Sequence, residues 1–600
     1  MPAVSMESPS RFSEAVPSHP CEPRTRRAGL SVTLAALALA LAACSGGSLA
    51  DPLTPSVPVE EGKSSLTPDD PGVADVRFTL DSSIQTPISR FIYGVNSYEG
   101  WDGIDLPANL TLGRQGGNRA SAYNWENNAS NAGSDWNYQN DAWMGGGDVP
   151  GEAIRSRVAG TLAKGAGIIV TVPMMGYVAA DKKGPVGTSE ATLATRLATR
   201  FRESRARKGS AFSLRPDVSD RYVYQDEFVW WLNQTFPGAA GDPVRPIFYS
   251  LDNEPDLWHG THEEVRSAVG GKPNLLTYGE LVGKTVEHAA AIKDVVPGAQ
   301  VFGPGVATWS GATTLGRWPT PDPVAGKVDF LDYYLTRMRE AERTHGRRLL
   351  DVLDLHWYAE GTAEGRKVSD DHAPQTPAMV QARVQSTRSL WDPSYTEKSW
   401  VVDVTGGPIR LLPRLREKIA AHYPGTKIAI SEYYFGRAGD ISGGIAQADA
   451  LGIFGREGVF AATLWPCASL KAYGGDGNRA YAYAFGAFRM FRDYDGRGGS
   501  FGDTGISAAT SNTAGTSVYA SVDAGRPGRV VVVAINKTGA PVNAGISLAH
   551  TRLLRRAEVY TMTDGSPRPT RGADISISKR NAFVYAMPPM SVTTLVLMEQ

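Results

Sequence analysis

Two glutamates, each closing a short apolar run, are the residues of this 600-residue chain best placed to do chemistry together. The first stands in Pro246-Ile-Phe-Tyr-Ser-Leu-Asp-Asn-Glu-Pro255, the second in Lys427-Ile-Ala-Ile-Ser-Glu-Tyr-Tyr-Phe435. Both runs read as buried parallel strands, and Pro255 stops the first. A carboxylate at the C-terminal end of such a strand sits where (β/α)8 barrels carry their active sites. Asn253-Glu254-Pro255 alone is equally an ordinary solvated turn. What favours chemistry is Glu432, at the sequence distance that takes a barrel from its fourth strand to its seventh. One protonated and one ionised carboxyl, held close, suit acid and nucleophile work on a glycosidic bond.

The elements that must position them alternate. Strand patterns fall at 91–96, 112–118, 168–173, 247–251, 301–305, 351–358, 428–431 and 460–465, with helical patterns at 276–293, 408–422 and 445–456 between them. Alternation argues for a parallel sheet, and eight strands for a closed barrel. After residue 504 come short strands separated by turns, at 517–522, 529–535, 542–548, 557–563, 575–578 and 592–597, the pattern of a β-sandwich. The strand at 76–81 has no helix behind it and is expected to cross back into that sandwich. The predicted fold is α/β: a (β/α)8 TIM barrel over 91–504 and an accompanying β-sandwich domain over 505–600, which 76–90 joins.

The chain opens differently. Arg24, Arg26 and Arg27 precede an apolar run of about 16 residues, short for a membrane span and right for a signal peptide. It ends in Leu41-Ala42-Ala43-Cys44-Ser45, which looks like a bacterial lipobox. Residues 1–44 are thus expected to be a lipoprotein signal with Cys44 acylated, and 45–75, rich in Ser, Pro, Asp and Gly, a flexible linker. That implies an exported lipoprotein at the outer membrane, cell surface or periplasm, with ordinary cleavage and secretion as the alternative. Cys21, Cys44 and Cys467 offer no disulfide framework, and Cys467 reads as a small buried hydrophobe. With 61 basic and 62 acidic residues, nothing points to nucleic acid or to a charged membrane surface. Membrane contact is expected only through the lipid on Cys44, and the protein is expected to be a monomer.

Six segments together carry a family resemblance: Arg114-Gln-Gly-Gly-Asn118, Tyr123-Asn-Trp-Glu-Asn127, Ala132-Gly-Ser-Asp-Trp136, Ser250-Leu-Asp-Asn-Glu-Pro-Asp-Leu-Trp-His259, Asp354-Leu-His-Trp-Tyr358 and Ile430-Ser-Glu-Tyr-Tyr434. Through them residues 91–470 resemble glycoside hydrolase family 44, whose members cut internal β-1,4-glucan bonds, including those of xyloglucan. The resemblance implies Glu254 as acid/base, Glu432 as nucleophile and no catalytic cofactor. It also implies a structural calcium ion, for which Glu126, Asp217 and Asp220 supply the oxygen ligands that a hard cation prefers. Solvated loop acids are the competing reading of those three.

Around the pair, Arg114 is expected to hydrogen-bond Glu432, a structural ion pair elsewhere being the alternative. Asn253 is placed for the sugar 2-hydroxyl. Tyr358 and then His356 follow as further contacts. Trp125, Trp136, Trp258, Trp309, Trp357, Tyr433 and Trp465 lie at or beyond strand ends and are candidate sugar-stacking surfaces, about half of them expected in the core. His259-Gly-Thr-His262-Glu263 lacks metalloprotease spacing. Two other readings stand beside a β-1,4-glucanase: a hydrolase of xylan or mannan on the same fold, and a non-catalytic glycan-binding lipoprotein.

Overall fold

The computed structural model describes residues 65–600 apart from 102, 187–191, 317–321, 323 and 524. The expected signal peptide, Cys44 and the linker as far as residue 64 lie outside the described residues.

Eight parallel strands close into a barrel: Gly94–Asn96, Leu112–Gln115, Gly167–Val172, Ile247–Leu251, Val301–Val306, Val352–Tyr358, Lys427–Tyr434 and Ala461–Leu464, the last pairing back onto the first. They fall where the apolar runs put them, because strands covered on both faces must be apolar throughout. The third, Gly-Ile-Ile-Val-Thr-Val, is buried at every position. The lower barrel is plugged by one inward-facing layer that includes Phe91, Leu112, Ile169, Phe248, Phe302 and Val352. Phe248 packs edge-on against Phe91 with centroids 5.1 Å apart and tilts against Phe302 at 5.3 Å. At about 1.5–3 kcal/mol for each fully buried large apolar side chain, this layer keeps water out from below.

The helices start at their caps rather than at their first apolar residue. In Tyr278–Val295 the Thr277 side chain accepts the Glu280 N–H, so the helix begins two residues after the periodicity does. Ile441–Arg456 is buried along nearly its whole length because it lies between the barrel and a second sheet. At Gly452 a Cβ would stand 2.3 Å from the Tyr519 ring.

That second sheet differs from two separate facing sheets. Nine of its ten strands, among them Val76–Pro87, follow a single hydrogen-bonded path, and the tenth, Ile575–Ser576, pairs beside it with Arg556–Thr563. Val76–Pro87 runs antiparallel to Thr504–Thr510 and parallel to Val542–Ala549, between chain segments more than 400 residues away. The path curls on itself: the Tyr585 hydroxyl near one end lies 3.2 Å from Thr593 Oγ1 near the other. Phe78, Val532, Ile546, Leu595 and Val559 meet in the resulting core. Between the two bodies Lys537 and Asp449 form an ion pair at 2.8 Å, each 1 % exposed. Cys467 departs from expectation in being half-buried rather than buried.

Candidate active site

Asp252-Asn253-Glu254 leaves the fourth strand in a strained turn. Asp252 and Glu254 both take left-handed backbone, with φ of 69° and 43°. Such residues cost of order 1–3 kcal/mol each and persist only where neighbours fix them. Here the Asp252 carboxylate accepts the N–H groups of Met174, Met175 and Asn253 at 2.5, 3.0 and 2.8 Å. The Glu254 N–H donates to Gly305 O at 2.9 Å, and the Trp258 indole donates to Asn253 O at 3.1 Å. The turn thereby aims Asn253 and Glu254 across the barrel mouth.

Glu432 is aimed by a slip in pairing. The sixth and seventh strands stay in register up to Leu355 and Ile430, then His356 meets Glu432, leaving Ser431 as the extra residue. Buried Asp354 takes up that residue, accepting the Ser431 hydroxyl at 2.7 Å and its N–H at 3.1 Å. An inserted residue of this kind re-aims the side chains beyond it.

Arg114, fully buried at the end of the second strand, ties both sides together. Its Nη1 donates to Glu432 Oε1 at 2.6 Å and to Asn96 Oδ1 at 3.0 Å, and its Nη2 donates to Asn253 Oδ1 at 2.8 Å. Gly116 makes the reach possible, since a Cβ there would lie 2.3 Å from the guanidinium carbon. The Tyr358 hydroxyl donates to the other Glu432 oxygen at 2.6 Å. Burial, and then the Glu432 charge, hold that phenol well above its ordinary range, so it stays a donor.

His356 stands between the carboxyls. Nδ1 is 2.8 Å from Glu254 Oε1 and 3.3 Å from Glu432 Oε2, while Nε2 lies 3.5 Å from Arg114 Nη2. Arginine only donates, which assigns the ring proton to Nδ1. Burial pushes the imidazole down to about 4, so it is neutral near pH 7. One ligand atom each of Glu254, His356 and Glu432 lie within 4.8 Å of one another. Three such groups also have the spacing of a metal site, but the Arg114 guanidinium already supplies positive charge there. Burial raises the Glu254 carboxyl to about 7, against the pull of Arg114 and helped by Asp135. Two carboxyls this close, one of them inclined to keep its proton, can protonate a leaving group and attack a carbon.

The aromatic candidates divide. Trp125, Trp258, Trp357 and Tyr433 are at most 2 % exposed, which corrects their reading as stacking surfaces. Trp125 stacks on Phe228, Trp258 holds the Asn253 turn, and the Tyr433 hydroxyl accepts from Gln447. Trp136 is 60 % exposed, and Trp465 is half-buried across Gly117, where a Cβ would lie 2.9 Å from its ring. Trp309 is half-buried, with the Arg414 guanidinium 5.8 Å from its ring.

Sequence reasoning missed Asn96, Asp252, Asp256 and Asp354, which hold the site rather than face it. Asp256 lies beneath Glu254, Oδ1 accepting the Ala307 N–H at 3.0 Å and buried Oδ2 bonded to nothing. Burial and then the Glu254 charge raise it to about 7. Asp252 stood inside the quoted motif, so its position was the available signal.

Glu126, Asp217 and Asp220 are electrostatic neighbours on another face. Burial, then Asp220 and Glu227, raise the buried Glu126 carboxyl to about 8. Glu227, absent from the sequence reading, adds a buried Oε2 that no group satisfies. This donor chemistry fits a hard cation. The three expected ligands do not meet at one point, however. Among the described residues only Glu254, His356 and Glu432 gather three ligand atoms within 4.8 Å, and exposed Asp217 is turned onto Ser219 at 2.6 Å.

The family model for glycoside hydrolase family 44 matches residues 129–361. Endoglucanase A of Paenibacillus lautus is 38 % identical over 535 residues, covering 87 % of this chain and 73 % of that protein. Beta-mannanase/endoglucanase A of Caldicellulosiruptor saccharolyticus is 36 % identical over 86 % of this chain, which spans 38 % of its length. The structure of a Paenibacillus polymyxa xyloglucanase with xyloglucan superimposes with a TM-score of 0.78 at 36 % identity, over 87 % of this chain and 99 % of that one.

Proposed function

The chain belongs to glycoside hydrolase family 44, and from that premise we propose that it cleaves internal β-1,4-glucosidic bonds of cellulose-type glucans and xyloglucan with retention at the anomeric carbon. The observation that carries the stereochemistry is the approach of a Glu254 oxygen to a Glu432 oxygen within 4.8 Å. Retaining enzymes hold their carboxyls about 5 Å apart, whereas inverting ones leave roughly 6.5–9.5 Å for a water molecule.

In the first step Glu432 Oε attacks C1 while protonated Glu254 gives its proton to the departing glycosidic oxygen. That bond breaks with its electrons on the leaving sugar, and a glycosyl ester forms on Glu432. In the second step Glu254, now a base, takes a proton from water. The water oxygen bonds to C1, and Glu432 leaves as carboxylate. Arg114 and Tyr358 hold Glu432 for attack from one direction. Asn253 Oδ1 is occupied by Arg114 and by the Gly117 N–H at 3.2 Å, so Nδ2 is the end that meets the sugar 2-hydroxyl. Trp136 and Trp465 offer ring faces to flanking sugars.

Hydrolysis of carboxymethylcellulose, xyloglucan, xylan and mannan, with the product anomer followed by NMR, tests this reading. A β-anomer released first from glucan or xyloglucan supports it, and an α-anomer sinks the retaining mechanism. The mannanase in the name of the Caldicellulosiruptor relative favours mannan as the second substrate to assay. We also propose a structural calcium ion that Glu126 and Asp220 hold once Asp217 turns to it from Ser219, and export as a monomeric lipoprotein anchored through Cys44. Among the described residues no helix is long and apolar enough to cross a membrane. Palmitate labelling that survives Cys44→Ala would dismiss the anchor.

A further inference from the structure

Away from the catalytic carboxyls, on the outer side of the barrel, lies a cleft of about 270 Å3 between the segment after the third strand and the helix Tyr278–Val295. Glu203, Arg205 and Arg207 line one wall, with Lys284, Glu287 and His288 on the other. Two groups here have uncommitted chemistry. His288 is 4 % exposed, and its Nδ1 lies 2.9 Å from the Lys284 carbonyl oxygen, which can only accept. The proton is therefore on Nδ1, and Nε2 carries a buried lone pair that no protein group satisfies. A buried acceptor left so is costly, because water no longer satisfies it.

Lys284 is the second. Its ammonium reaches only the Met175 carbonyl, at a long 3.4 Å, and among the described residues no carboxylate pairs with it. The other cations of the cleft are engaged: Arg205 with Glu203 at 2.8 Å, and Arg207 with Asp294 at 2.6 Å. Glu287 is exposed at the cleft edge and attracts the Lys284 ammonium without a direct bond. The lining thus presents one incompletely compensated positive charge, which burial pushes below the ordinary lysine range despite the attraction of Glu280, Asp252 and Glu287, beside one acceptor awaiting a proton donor. A neutral sugar answers the acceptor and leaves the ammonium unpaired, while an anion without a hydroxyl does the reverse.

We propose that this cleft binds a small hydroxy-carboxylate of uronic- or aldonic-acid size, its carboxylate on Lys284 Nζ and a hydroxyl donating to His288 Nε2. The volume lies below the roughly 300–1,000 Å3 of pockets for drug-sized ligands, which suits a single sugar unit. Monohydrogen phosphate carries the same pairing of anionic oxygen and hydroxyl, so it is a necessary comparison.

The test is calorimetric titration of the whole protein with D-glucuronate, D-gluconate, glucose and inorganic phosphate, repeated in the presence of cellobiose. Expected are one-to-one binding of a hydroxy-carboxylate that cellobiose leaves unchanged, no heat from glucose, and weaker binding of phosphate. Lys284→Met and His288→Leu should each weaken binding by about tenfold or more, a loss of about 1.4 kcal/mol, and His288→Gln should regain part of it. Glucan hydrolysis should be unchanged in all three variants, which also shows them folded. Any of three results overturns the proposal: no binding of either acid, displacement by cellobiose, or phosphate binding equally well and indifferent to His288→Leu.

Discussion

The Arg114 guanidinium touches the Glu432 carboxylate at 2.6 Å, with the two side chains 0 % and 2 % exposed. A pair removed so fully from water is held by its geometry, since desolvation offsets much of the Coulomb attraction. The same guanidinium also binds Asn96 and Asn253, so it fixes Glu432 relative to the turn that carries Glu254.

Arg114→Lys keeps the charge and loses the fork. An ammonium cannot reach Asn96, Glu432 and Asn253 from one side chain in this planar arrangement. The variant should fold and lose roughly 10²-fold in kcat, with KM changed less. Arg114→Ala leaves Glu432 buried without its cation and should cost about 3–5 kcal/mol in urea denaturation. A lysine variant with near-native kcat would show that Arg114 merely fills space.

Tyr358→Phe removes a single 2.6 Å hydrogen bond to the attacking carboxylate and leaves the ring packing intact. Hydrogen bonds to charged groups are worth about 1.5–3 kcal/mol, so kcat should fall by roughly 10- to 150-fold with the melting temperature nearly unchanged. Equal losses of kcat and stability would assign the tyrosine to the fold alone.

The pH dependence follows from Glu254, raised to about 7 by burial. The acid must hold its proton, so kcat/KM on glucan should fall as pH rises through about 7. An aryl cellobioside whose leaving group needs no proton should show no such limb in its first step. Stability carries the matching sign. The folded state keeps a proton that the unfolded chain releases above its ordinary value of 4.5, so this contribution erodes between 4.5 and about 7. Glu254→Gln should therefore gain stability over the unmutated protein at pH 8 and gain little at pH 4.

The barrel was legible because eight doubly covered strands must be apolar, and Glu254 and Glu432 were legible because strand ends in such a barrel face the site. What stayed hidden depends on contacts far apart in the chain. Trp125 and Trp258 sit beside motif residues as Trp136 does, and only packing separates the two that are at most 1 % exposed from the one that is 60 % exposed. Asp354 earns its place through a slip opposite Ser431, which no spacing along one strand reveals. The curling of the second sheet rests likewise on Tyr585 meeting Thr593 across two ends of one path.

Glu126 supplies the calcium test. Its carboxyl, raised to about 8, is mostly protonated at pH 6, and a bound cation must displace that proton. The fall in melting temperature on chelation should therefore be larger at pH 8 than at pH 6, and Glu126→Gln should abolish the difference. The size of the effect follows mass action on free calcium. Chelation that leaves the melting temperature unchanged at both pH values would dismiss the ion.

The two glutamates predict opposite stereochemistry when each is removed. Glu432→Ala lacks the nucleophile, and several orders of magnitude in rate should be lost. Azide in the emptied space attacks C1 directly, in a single displacement assisted by Glu254, and should yield the inverted glycosyl azide. Glu254→Ala keeps the nucleophile and lacks the proton donor. On an activated aryl glycoside the ester on Glu432 still forms, but no base remains to activate water against it. Azide needs no base, so it should restore turnover and give the azide with retained configuration after two displacements. The two assignments are thus checked by one NMR measurement on each product. Retained azide from Glu432→Ala would move the nucleophile to another residue, and inverted azide from Glu254→Ala would mean that no glycosyl ester precedes it.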